Sequence, residues 1–498
     1  MALPRCLTFA GRFHAAGRYL ALFVGLLILN SLGDGVLPLI DRDEPRFAEA
    51  SREMRQSGDY LIPRVNGAYR FDKPPLVYWC QVAAMRIVGD GDLAVRLPSA
   101  VFMAATAVMA ALWATKETNP QVGWWSGVIF GTCMQTFMHA HAAVADPPLV
   151  FFFTGACWAG WERMRRPASK RLFLAFYLAL AAGFLAKGPI ALLPWITPTV
   201  HRYLRERRVQ VLLPSTLAGL LVVIGVVGLW GIPALVVTHG QFFNVGIGKH
   251  VVQRSLKPME SHGAPGVIGY LLFLPFYAVT LLVSFAPWSI GLGRAIRSAW
   301  RSGQELDRYL LLNAAVVFAV FTLIQTKLPH YVLPAFPLLA VVFARHRSPR
   351  FPVRAAAGTA MGVYVLIATV GFRWIEPAFP SKVLVEQLRP DLSPATRTGS
   401  VGYDEQSLVW YLRHTTVPFH EWLRAEDVVP FLAAPGPAVC VVAGPERIKV
   451  HVPTGCRTVD YSGYNVARWK TQPVQWAGLR FRLPLPERVD LLALIKAE

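Results

Sequence analysis

The sequence predicts a mainly α-helical membrane protein with about eleven transmembrane helices and a small α/β domain at its C-terminal end. Of its 498 residues, 54% are hydrophobic and only 16% are charged, whereas about 25% of a soluble domain is charged. Long apolar runs separated by basic clusters fill the first three quarters of the chain. We therefore expect a membrane domain over residues 1–375 and a soluble domain over residues 376–498.

The apolar runs predict where the spans lie. Basic residues precede the first run, which we interpret as a retained span rather than a cleaved signal peptide. The predicted spans cover approximately residues 19–40, 97–114, 121–140, 147–162, 171–186, 189–202, 211–236, 269–291, 309–325, 332–344 and 355–373. With the N-terminus inside, eleven spans place the C-terminal domain and two long loops, 41–93 and 237–268, on the outer face.

The formal net charge of +20 does not indicate nucleic-acid binding, because the basic residues are spread among short loops. Four dense clusters lie between predicted spans, near residues 163–171, 202–208, 294–308 and 345–354. Positively charged loops are typical of the cytoplasmic side of a membrane protein. We expect no nucleic-acid partner, and we expect every basic cluster to lie inside.

The first outer loop carries a dense mixture of charges. Between Asp41 and Lys73 there are seven acidic and seven basic side chains, which belong at the water interface rather than in hydrocarbon. Segments 48–54 and 76–88 have apolar residues at helical spacing and predict amphipathic helices on the membrane surface. We interpret this loop as the floor of an active site.

The C-terminal region predicts a small α/β domain on the outer face. Residues 438–442 and 448–452 have β-like composition, whereas residues 406–413 and 488–496 have helix-like composition. Cys440 and Cys456 lie in this domain, and a disulfide between them would contribute roughly 3 kcal/mol. The sequence leaves their pairing open.

Polar motifs on the outer face differ from the uniformly basic inner loops. One polar residue can simply mark the end of a loop, but a mixture of carboxylates, lysines and histidines on one face indicates a site. The motifs are Asp43-Glu44, Asp72-Lys73-Pro74-Pro75, His141 with Asp146, Lys187-Gly188-Pro189, Lys327-Leu328-Pro329-His330-Tyr331, and His250 with Arg254.

The residue types in these motifs favour acid–base chemistry and phosphate binding. Asp43 and Glu44 can act as a general base or orient a metal, although an Asp before a Pro also suits a helix N-cap. Lys73, Arg46 and Arg254 can hold a phosphate or extend to lipid headgroups. Both interpretations stay open at these positions.

Several of these stretches also carry a resemblance to a known family. They are Asp43-Glu44-Pro45-Arg46-Phe47-Ala48-Glu49, Ser57-Gly58-Asp59-Tyr60-Leu61-Ile62-Pro63-Arg64, Phe71-Asp72-Lys73-Pro74-Pro75-Leu76-Val77-Tyr78-Trp79, Ala145-Asp146-Pro147, Ala186-Lys187-Gly188-Pro189 and Lys327-Leu328-Pro329-His330-Tyr331. Together they resemble the lipid A aminoarabinose transferases, within the protein-mannosyltransferase-like family of membrane glycosyltransferases with the GT-C fold. The resemblance covers roughly residues 19–373.

The resemblance implies a polyprenyl-phosphate-linked sugar donor used on the periplasmic side of a bacterial inner membrane, without a nucleotide cofactor. It assigns the catalytic aspartate to Asp43, the phosphate-binding lysine to Lys73 and a second-loop acidic residue to Asp146. Some members bind a divalent metal, which here implies Asp72 and His250. Substrate contacts are expected from Glu44, Arg46, Tyr78, His141, Lys187, Arg254, Lys327, His330 and Tyr331.

Transfer from a lipid phosphate to a hydroxyl needs a base at the nucleophile and positive charge at the leaving phosphate. We therefore expect Asp43 to serve the acceptor and Lys73 the departing phosphate, with inversion of the anomeric centre. We expect a monomer that acts on a lipid A-like glycolipid, with a protein hydroxyl as the alternative acceptor. A lipid or solute transporter or flippase, and a protein whose outer domain binds a ligand, are the alternatives from other classes.

Overall fold

The computed structural model describes residues 9–41, 43–206, 214–253, 255, 266–476 and 479–496. Helices dominate the chain up to residue 375. The α-helices there are Phe9–Ser31, Asp43–Ser57, Leu76–Val88, Asp92–Glu117, Pro120–Gly131, Met134–Ala140, Asp146–Arg165, Lys170–Lys187, Leu193–Glu206, Pro214–Val237, Gln241–Phe243, Gly266–Leu272, Phe276–Ser284, Ser289–Ser302, Glu305–Leu323, Phe336–His346, Val353–Leu366 and Phe372–Ile375. Short 3-10 helices at Pro189–Leu192 and Pro329–Ala335, and π-helices at Asn244–Gln253 and Ile367–Gly371, complete this part.

Helical segments occur at all of the eleven predicted spans, but several are short or interrupted. Among the described residues, four helices are long and apolar enough to cross a membrane: Asp92–Glu117, Ser215–Val237, Glu305–Leu323 and Val353–Ala378. The pair Ile268–Ser284 and Ser289–Ser302, bent by 115°, makes a fifth if it is one span. The chain is a multi-pass, mainly helical membrane protein, and the count of eleven stays a prediction.

Glycine and proline explain one break that positions the site. The helix Lys170–Lys187 ends at Gly188, which has φ of 84°, a conformation that glycine adopts without a Cβ penalty. Pro189 then begins a 3-10 helix rather than continuing the α-helix. As a result, Lys187 lies at the tip of its helix.

Close helix packing depends on small residues at the contact between Pro120–Gly131 and its neighbours. A Cβ at Gly127 would lie 2.6 Å from Leu22 Cδ2 and 2.8 Å from the Ala107 carbonyl oxygen. Small residues let backbones approach closely in membrane proteins, where van der Waals packing holds helices together. The first, second and third predicted spans therefore form one packed unit.

The C-terminal region forms a five-stranded mixed sheet. In spatial order its strands are Glu421–Trp422, Arg397–Val401, Ala438–Ala443, Leu479–Lys496 and Arg457–Trp476. The first three are parallel, and the last two form a long antiparallel hairpin beside them. The α-helices Pro380–Leu388, Gln406–Leu412 and Val428–Ala433 and the 3-10 helices Glu376–Ala378, Arg389–Asp391, Ala425–Asp427 and Gly444–Lys449 surround the sheet.

Two local predictions in this region were wrong. Residues 488–496, predicted as helix, lie in the strand Leu479–Lys496, and the predicted strand at 448–452 begins inside the 3-10 helix Gly444–Lys449. Both faces of the strand are covered, with Leu491 and Ile495 in one hydrophobic cluster and Leu494 in another. A continuous apolar run of this kind does not distinguish a strand from a helix. The strand at 438–442 and the helix at 406–413 were predicted correctly.

The structure also resolves the question about cysteines, because Cys440 and Cys456 are both free thiols. Cys440 is buried in the strand Ala438–Ala443. Burial raises the pKa of its thiol from 9.0 to about 12. Cys440 is therefore a buried apolar side chain of the sheet. The domain boundary predicted near residue 376 stays a prediction.

Asp43–Ser57, which we call the first-loop helix, packs against the helix Gln406–Leu412 of the C-terminal region, and its position on the membrane surface stays a prediction. Glu49 and Arg52 on this helix are both fully buried and form an ion pair of 2.9 Å. Arg413 of the C-terminal region pairs with Glu49 and, at 2.9 Å, with Glu53. The Arg52 guanidinium also stacks 3.6 Å over the Trp410 ring. These contacts hold the first-loop helix against the C-terminal region.

Replacing Arg52 should destabilise the protein strongly. Arg52→Met removes one of two cations at Glu49 and at Asp90, where Arg413 and Arg55 stay, and loss of a partner by a buried polar group costs about 1–3 kcal/mol. Thermal unfolding in detergent measures the loss. Arg424→Met is the matched control, because its ion pair with Glu426 is exposed and such pairs contribute at most about 1 kcal/mol. Equal unfolding temperatures for the two variants would contradict the proposed anchoring role.

A second contact between the loop and the C-terminal region is pH-dependent. Asp41 accepts hydrogen bonds from the backbone N–H of Ser407, at 3.0 Å, and from its hydroxyl. Burial and the nearby Glu405 raise the pKa of Asp41 from 3.8 to about 7. Between those two values the folded protein keeps a proton that the unfolded chain releases. The stability from this group is therefore full below about pH 4 and is lost as the pH rises through about 7.

Asp41→Asn tests this pH dependence because its amide does not titrate. We expect the free energy of unfolding of the wild type to fall more between about pH 5 and about pH 8 than that of the variant. Denaturant unfolding in detergent at constant ionic strength measures both. The same pH dependence in the two proteins would show that Asp41 does not titrate in this range.

Candidate functional site

The site is built where the ends of two helices meet. Asp146 begins the helix Asp146–Arg165, with two prolines after it, and Lys187 ends the helix Lys170–Lys187. The Lys187 Nζ lies 2.5 Å from Asp146 Oδ1, and it lies 5.4 Å from the centre of the Tyr331 ring. The structure thus brings together three residues that were predicted from separate motifs.

The Lys-Pro motif of the first loop adds a second cation. Lys73 Nζ lies 2.9 Å from Asp72 Oδ1, and Arg70 Nη2 lies 2.7 Å from Asp72 Oδ2. Arg70 Nε in turn donates to the hydroxyl of Tyr78 at 3.1 Å. Burial raises the pKa of Tyr78 to about 12, so this phenol stays protonated at neutral pH. Asp72 holds Lys73, and Tyr78 supports Arg70 from a fully buried position.

Adjacent residues at the start of the first-loop helix have opposite environments. Asp43 is exposed, and its carboxylate interacts electrostatically with both Arg70 and Lys187. Glu44 is buried, and its two oxygens accept from Arg96 at 2.8–3.0 Å and from the N–H groups of Ile40 and Ala143. Glu44 is thus an anchor for Arg96, and its contact with a substrate stays a prediction.

Lys73, Asp146, Lys187 and Tyr331 line one side of a cavity of about 550 Å³. The rest of its wall is largely apolar and includes Leu149, Phe184, Leu193, Val227, Trp230, Leu235, Phe242, Phe321 and Ile324. We call it the apolar cavity. Each lysine is paired with an aspartate that also lines the cavity, Lys73 with Asp72 and Lys187 with Asp146. A ligand that matches this wall has a hydrocarbon tail and a polar head that the two ammonium groups can contact.

Two residues predicted to contact substrate lie elsewhere. Lys327 is buried, and its Nζ donates to the Phe321 and Thr322 carbonyls at 2.9 and 2.5 Å, which caps the end of the helix Glu305–Leu323. His141 is also buried, and its ring nitrogens lie 2.9 and 3.3 Å from backbone carbonyl oxygens. Their substrate contacts stay predictions. Arg254 and the side chain of His250 lie outside the described residues.

A group of possible metal ligands occurs at a different place from the predicted one. His139, Asp146 and His330 have ligand atoms within 4.8 Å of one another. However, Lys187 already pairs with Asp146, and both oxygens of Asp72, the predicted ligand, face cations. In this arrangement both oxygens of Asp72 and one oxygen of Asp146 face cations. The predicted metal site stays a prediction, and His139 is a neighbour of the cavity that the motif analysis missed.

Comparison with known proteins supports this architecture. Residues 72–230 match the family described as dolichyl-phosphate-mannose-protein mannosyltransferase. An undecaprenyl phosphate-alpha-4-amino-4-deoxy-L-arabinose arabinosyl transferase from Sodalis glossinidius is 31% identical over 341 residues, which are 65% of this chain and 59% of that protein. The transferase from Edwardsiella ictaluri is 29% identical over 61% of this chain and 54% of its own. This chain spans about three fifths of the length of the curated relatives it matches.

Solved structures extend the similarity to nearly the whole chain. The crystal structure of ArnT from Cupriavidus metallidurans bound to undecaprenyl phosphate has a TM-score of 0.72 and 16% identity, and the match covers 95% of this chain and 98% of that one. The apo structure of the same protein gives a TM-score of 0.71 at 18% identity. At this identity the match shows a common fold.

The chain is thus a mainly helical membrane protein with the fold of the ArnT crystal structure, and residues 72–230 match the mannosyltransferase family model. In sequence the chain is similar to the undecaprenyl-phosphate arabinosyl transferases over 65% of its length. The resemblance seen in the sequence is therefore confirmed, and it extends in structure to the C-terminal domain, where the sequence showed none.

Proposed function

We propose that this protein transfers a sugar from a polyprenyl-phosphate-linked donor to a hydroxyl or phosphate oxygen of a lipid A-like envelope glycolipid. The relatives carry names that specify undecaprenyl phosphate and an arabinosyl group. The observation that carries the proposal is the apolar cavity with Lys73 and Lys187 at one end.

The cavity fits the leaving group of such a reaction. Cations beside the departing phosphate stabilise the negative charge that develops as the bond to the sugar breaks. Lys73 and Lys187 are positioned for this task, and the apolar wall suits the isoprenoid chain. Asp146 pairs with Lys187 at 2.5 Å, and we assign it the task of holding this ammonium at the phosphate.

Asp43 is assigned to the acceptor. It is exposed and interacts electrostatically with Arg70 and Lys187, where it can take the proton of an acceptor hydroxyl or orient an acceptor oxygen. The acceptor oxygen bonds to the anomeric carbon, the bond from that carbon to the phosphate oxygen breaks, and polyprenyl phosphate leaves with the electron pair. A single displacement of this kind inverts the anomeric centre.

The proposal includes an orientation in the membrane. Eleven spans would place the N-terminus in the cytoplasm and the cavity and C-terminal domain in the periplasm of a bacterium. The two helices that carry Asp146 and Lys187 support it, because each has basic residues at its opposite end, Arg163 and Arg165 in one and Lys170 and Arg171 in the other. Basic residues at helix ends favour the cytoplasmic side.

One assay separates this function from the alternatives. The purified full chain is given a radiolabelled polyprenyl-phosphate sugar together with a lipid A-type glycolipid and periplasmic protein. We expect label in the glycolipid fraction. Label in protein alone would favour a protein O-glycosyltransferase. Label that crosses a proteoliposome membrane without forming a covalent product would favour a transporter.

A further inference from the structure

A second cavity, of about 350 Å³, lies where the first loop meets the C-terminal sheet. Its walls include Arg46 of the first-loop helix, Tyr69 and Arg70 of the first loop, and Gln406 and Trp422 of the C-terminal domain. We call it the polar cavity. It is distinct from the apolar cavity, because Arg46, which was predicted to hold a phosphate, lies here rather than beside Lys73 and Lys187.

The side chains of the polar cavity suit a phosphorylated saccharide. Tyr69 is 41% exposed and Trp422 is 42% exposed. The Arg64 guanidinium covers one part of the Tyr69 ring at 4.3 Å, and the exposed remainder of each ring offers an aromatic surface to the apolar side of a sugar ring. The guanidinium of Arg46 matches the geometry of a phosphate. Gln406 adds a buried carboxamide oxygen that accepts no hydrogen bond within the described part of the chain, and such a group calls for an additional partner.

Asp43 lies between the polar cavity and the apolar cavity. Arg46 follows Asp43 by three residues on one helix, so the two side chains lie on the same face. The Asp43 carboxylate also interacts electrostatically with Arg70, which lines the polar cavity, and with Lys187, which lines the apolar one. A ligand in the polar cavity would therefore meet the donor sugar beside Asp43.

We propose that the polar cavity binds the phosphorylated saccharide headgroup of the acceptor, with Arg46 on its phosphate and Tyr69 and Trp422 against its sugar rings. The inference rests on the proposed function for the identity of its ligand, and it adds the place from which the acceptor approaches. It also gives the C-terminal domain a task, because Trp422 and Gln406 come from that domain. Acceptor and donor then enter from opposite sides of Asp43.

The test measures binding without turnover, so its result does not depend on catalysis. The full chain in nanodiscs is titrated with a phosphorylated glucosamine-disaccharide glycolipid and with its dephosphorylated counterpart, and inorganic phosphate serves as a competitor. The variants are Trp422→Ala and Arg46→Gln. Val417→Ala is the control, because its side chain is an exposed apolar group of the same domain and does not line the cavity. Tyr69→Ala replaces Trp422→Ala if that variant does not fold.

We expect Trp422→Ala to weaken binding of both glycolipids about tenfold, through loss of an aromatic surface. Arg46→Gln should weaken binding of the phosphorylated glycolipid about tenfold and leave the dephosphorylated one unchanged. Polyprenyl phosphate should bind the wild type and all variants equally. Wild-type affinity for the phosphorylated glycolipid in folded Trp422→Ala and Arg46→Gln would overturn the inference. Inorganic phosphate binding as tightly as the glycolipid would reduce the cavity to an anion site and overturn it too.

Failure of this inference and failure of the proposed function give different results. Glycolipid binding that follows the expected variant pattern, without sugar transfer by the wild type, would refute the proposed transferase and leave the binding site standing. Sugar transfer with an acceptor affinity that is unchanged in both variants would support the transferase and refute the polar cavity as the acceptor site.

Discussion

Asp43→Asn should lower the rate of sugar transfer by about 10²–10⁴-fold, which is the range for loss of a general base. The change keeps the size of the side chain and removes its charge beside Lys187 and Arg70. Because Asp43 is exposed and Glu44 carries the buried contacts of this turn, the variant should fold normally. Initial rates at saturating donor and acceptor, with purified protein, measure the effect.

The matched control for Asp43 is Asp59→Asn. Asp59 belongs to the same loop, is half exposed and lies 3.7 Å from Arg64, but the structure places it in neither cavity. We expect its transfer rate to equal that of the wild type. Asp43→Asn should also bind polyprenyl phosphate normally, because Lys73 and Lys187 are intact. An undiminished rate in folded Asp43→Asn would remove Asp43 from the mechanism.

Gly231→Phe should block the donor and lower transfer by about tenfold to a hundredfold. Gly231 lines the apolar cavity, and a Cβ at this position meets nothing within 4 Å. A phenylalanine ring can therefore enter the cavity without displacing the helix backbone. Overfilling a packed space costs about 1–3 kcal/mol, and in this variant that cost weakens binding of the donor. The rate of transfer at a subsaturating donor concentration reports the loss.

Gly225→Phe is the control for the cavity variant. Gly225 lies on the same helix and is exposed, and a Cβ at this position would also meet nothing within 4 Å, but Gly225 does not line the apolar cavity. Its transfer rate should match that of the wild type. Equal losses in the two variants would indicate damage to the helix rather than to a donor site.

The spans were predictable because their physical cause is local. Long apolar runs and basic clusters are properties of the sequence itself, and helices appear at each predicted span. Their ends were less predictable, because they depend on contacts with other parts of the chain. The first helix ends at Ser31 rather than near residue 40. Two residues after this end, Gly33 has φ of 82° and lies against the Ala368 carbonyl. That contact joins residues more than 300 positions apart.

The motifs of the site were predictable, but the direction of each side chain was not. Asp43 and Glu44 are adjacent in the sequence, yet one is exposed and the other is locked to Arg96. Likewise, Lys187 reaches the cavity whereas Lys327 caps a helix. Which polar residue points into a cavity is decided by packing, and a single sequence does not record that packing.

The network between the first-loop helix and the C-terminal domain was missed for the same reason. Glu49 and Arg413 are 364 residues apart, and Arg413 belongs to none of the motifs. The available signal was the number of charged residues between Asp41 and Lys73, which is larger than a single catalytic site needs. Part of that charge holds the C-terminal domain rather than a substrate.

The central claim is that a polyprenyl phosphate binds in the apolar cavity with its phosphate at Lys73 and Lys187. Native mass spectrometry of the detergent-solubilised chain with added undecaprenyl phosphate tests it directly. The account predicts one bound lipid per wild-type chain, the same for Asp43→Asn and Gly225→Phe, and little or none for Gly231→Phe. Equal occupancy of Gly231→Phe and the wild type would place the donor somewhere else and contradict the account.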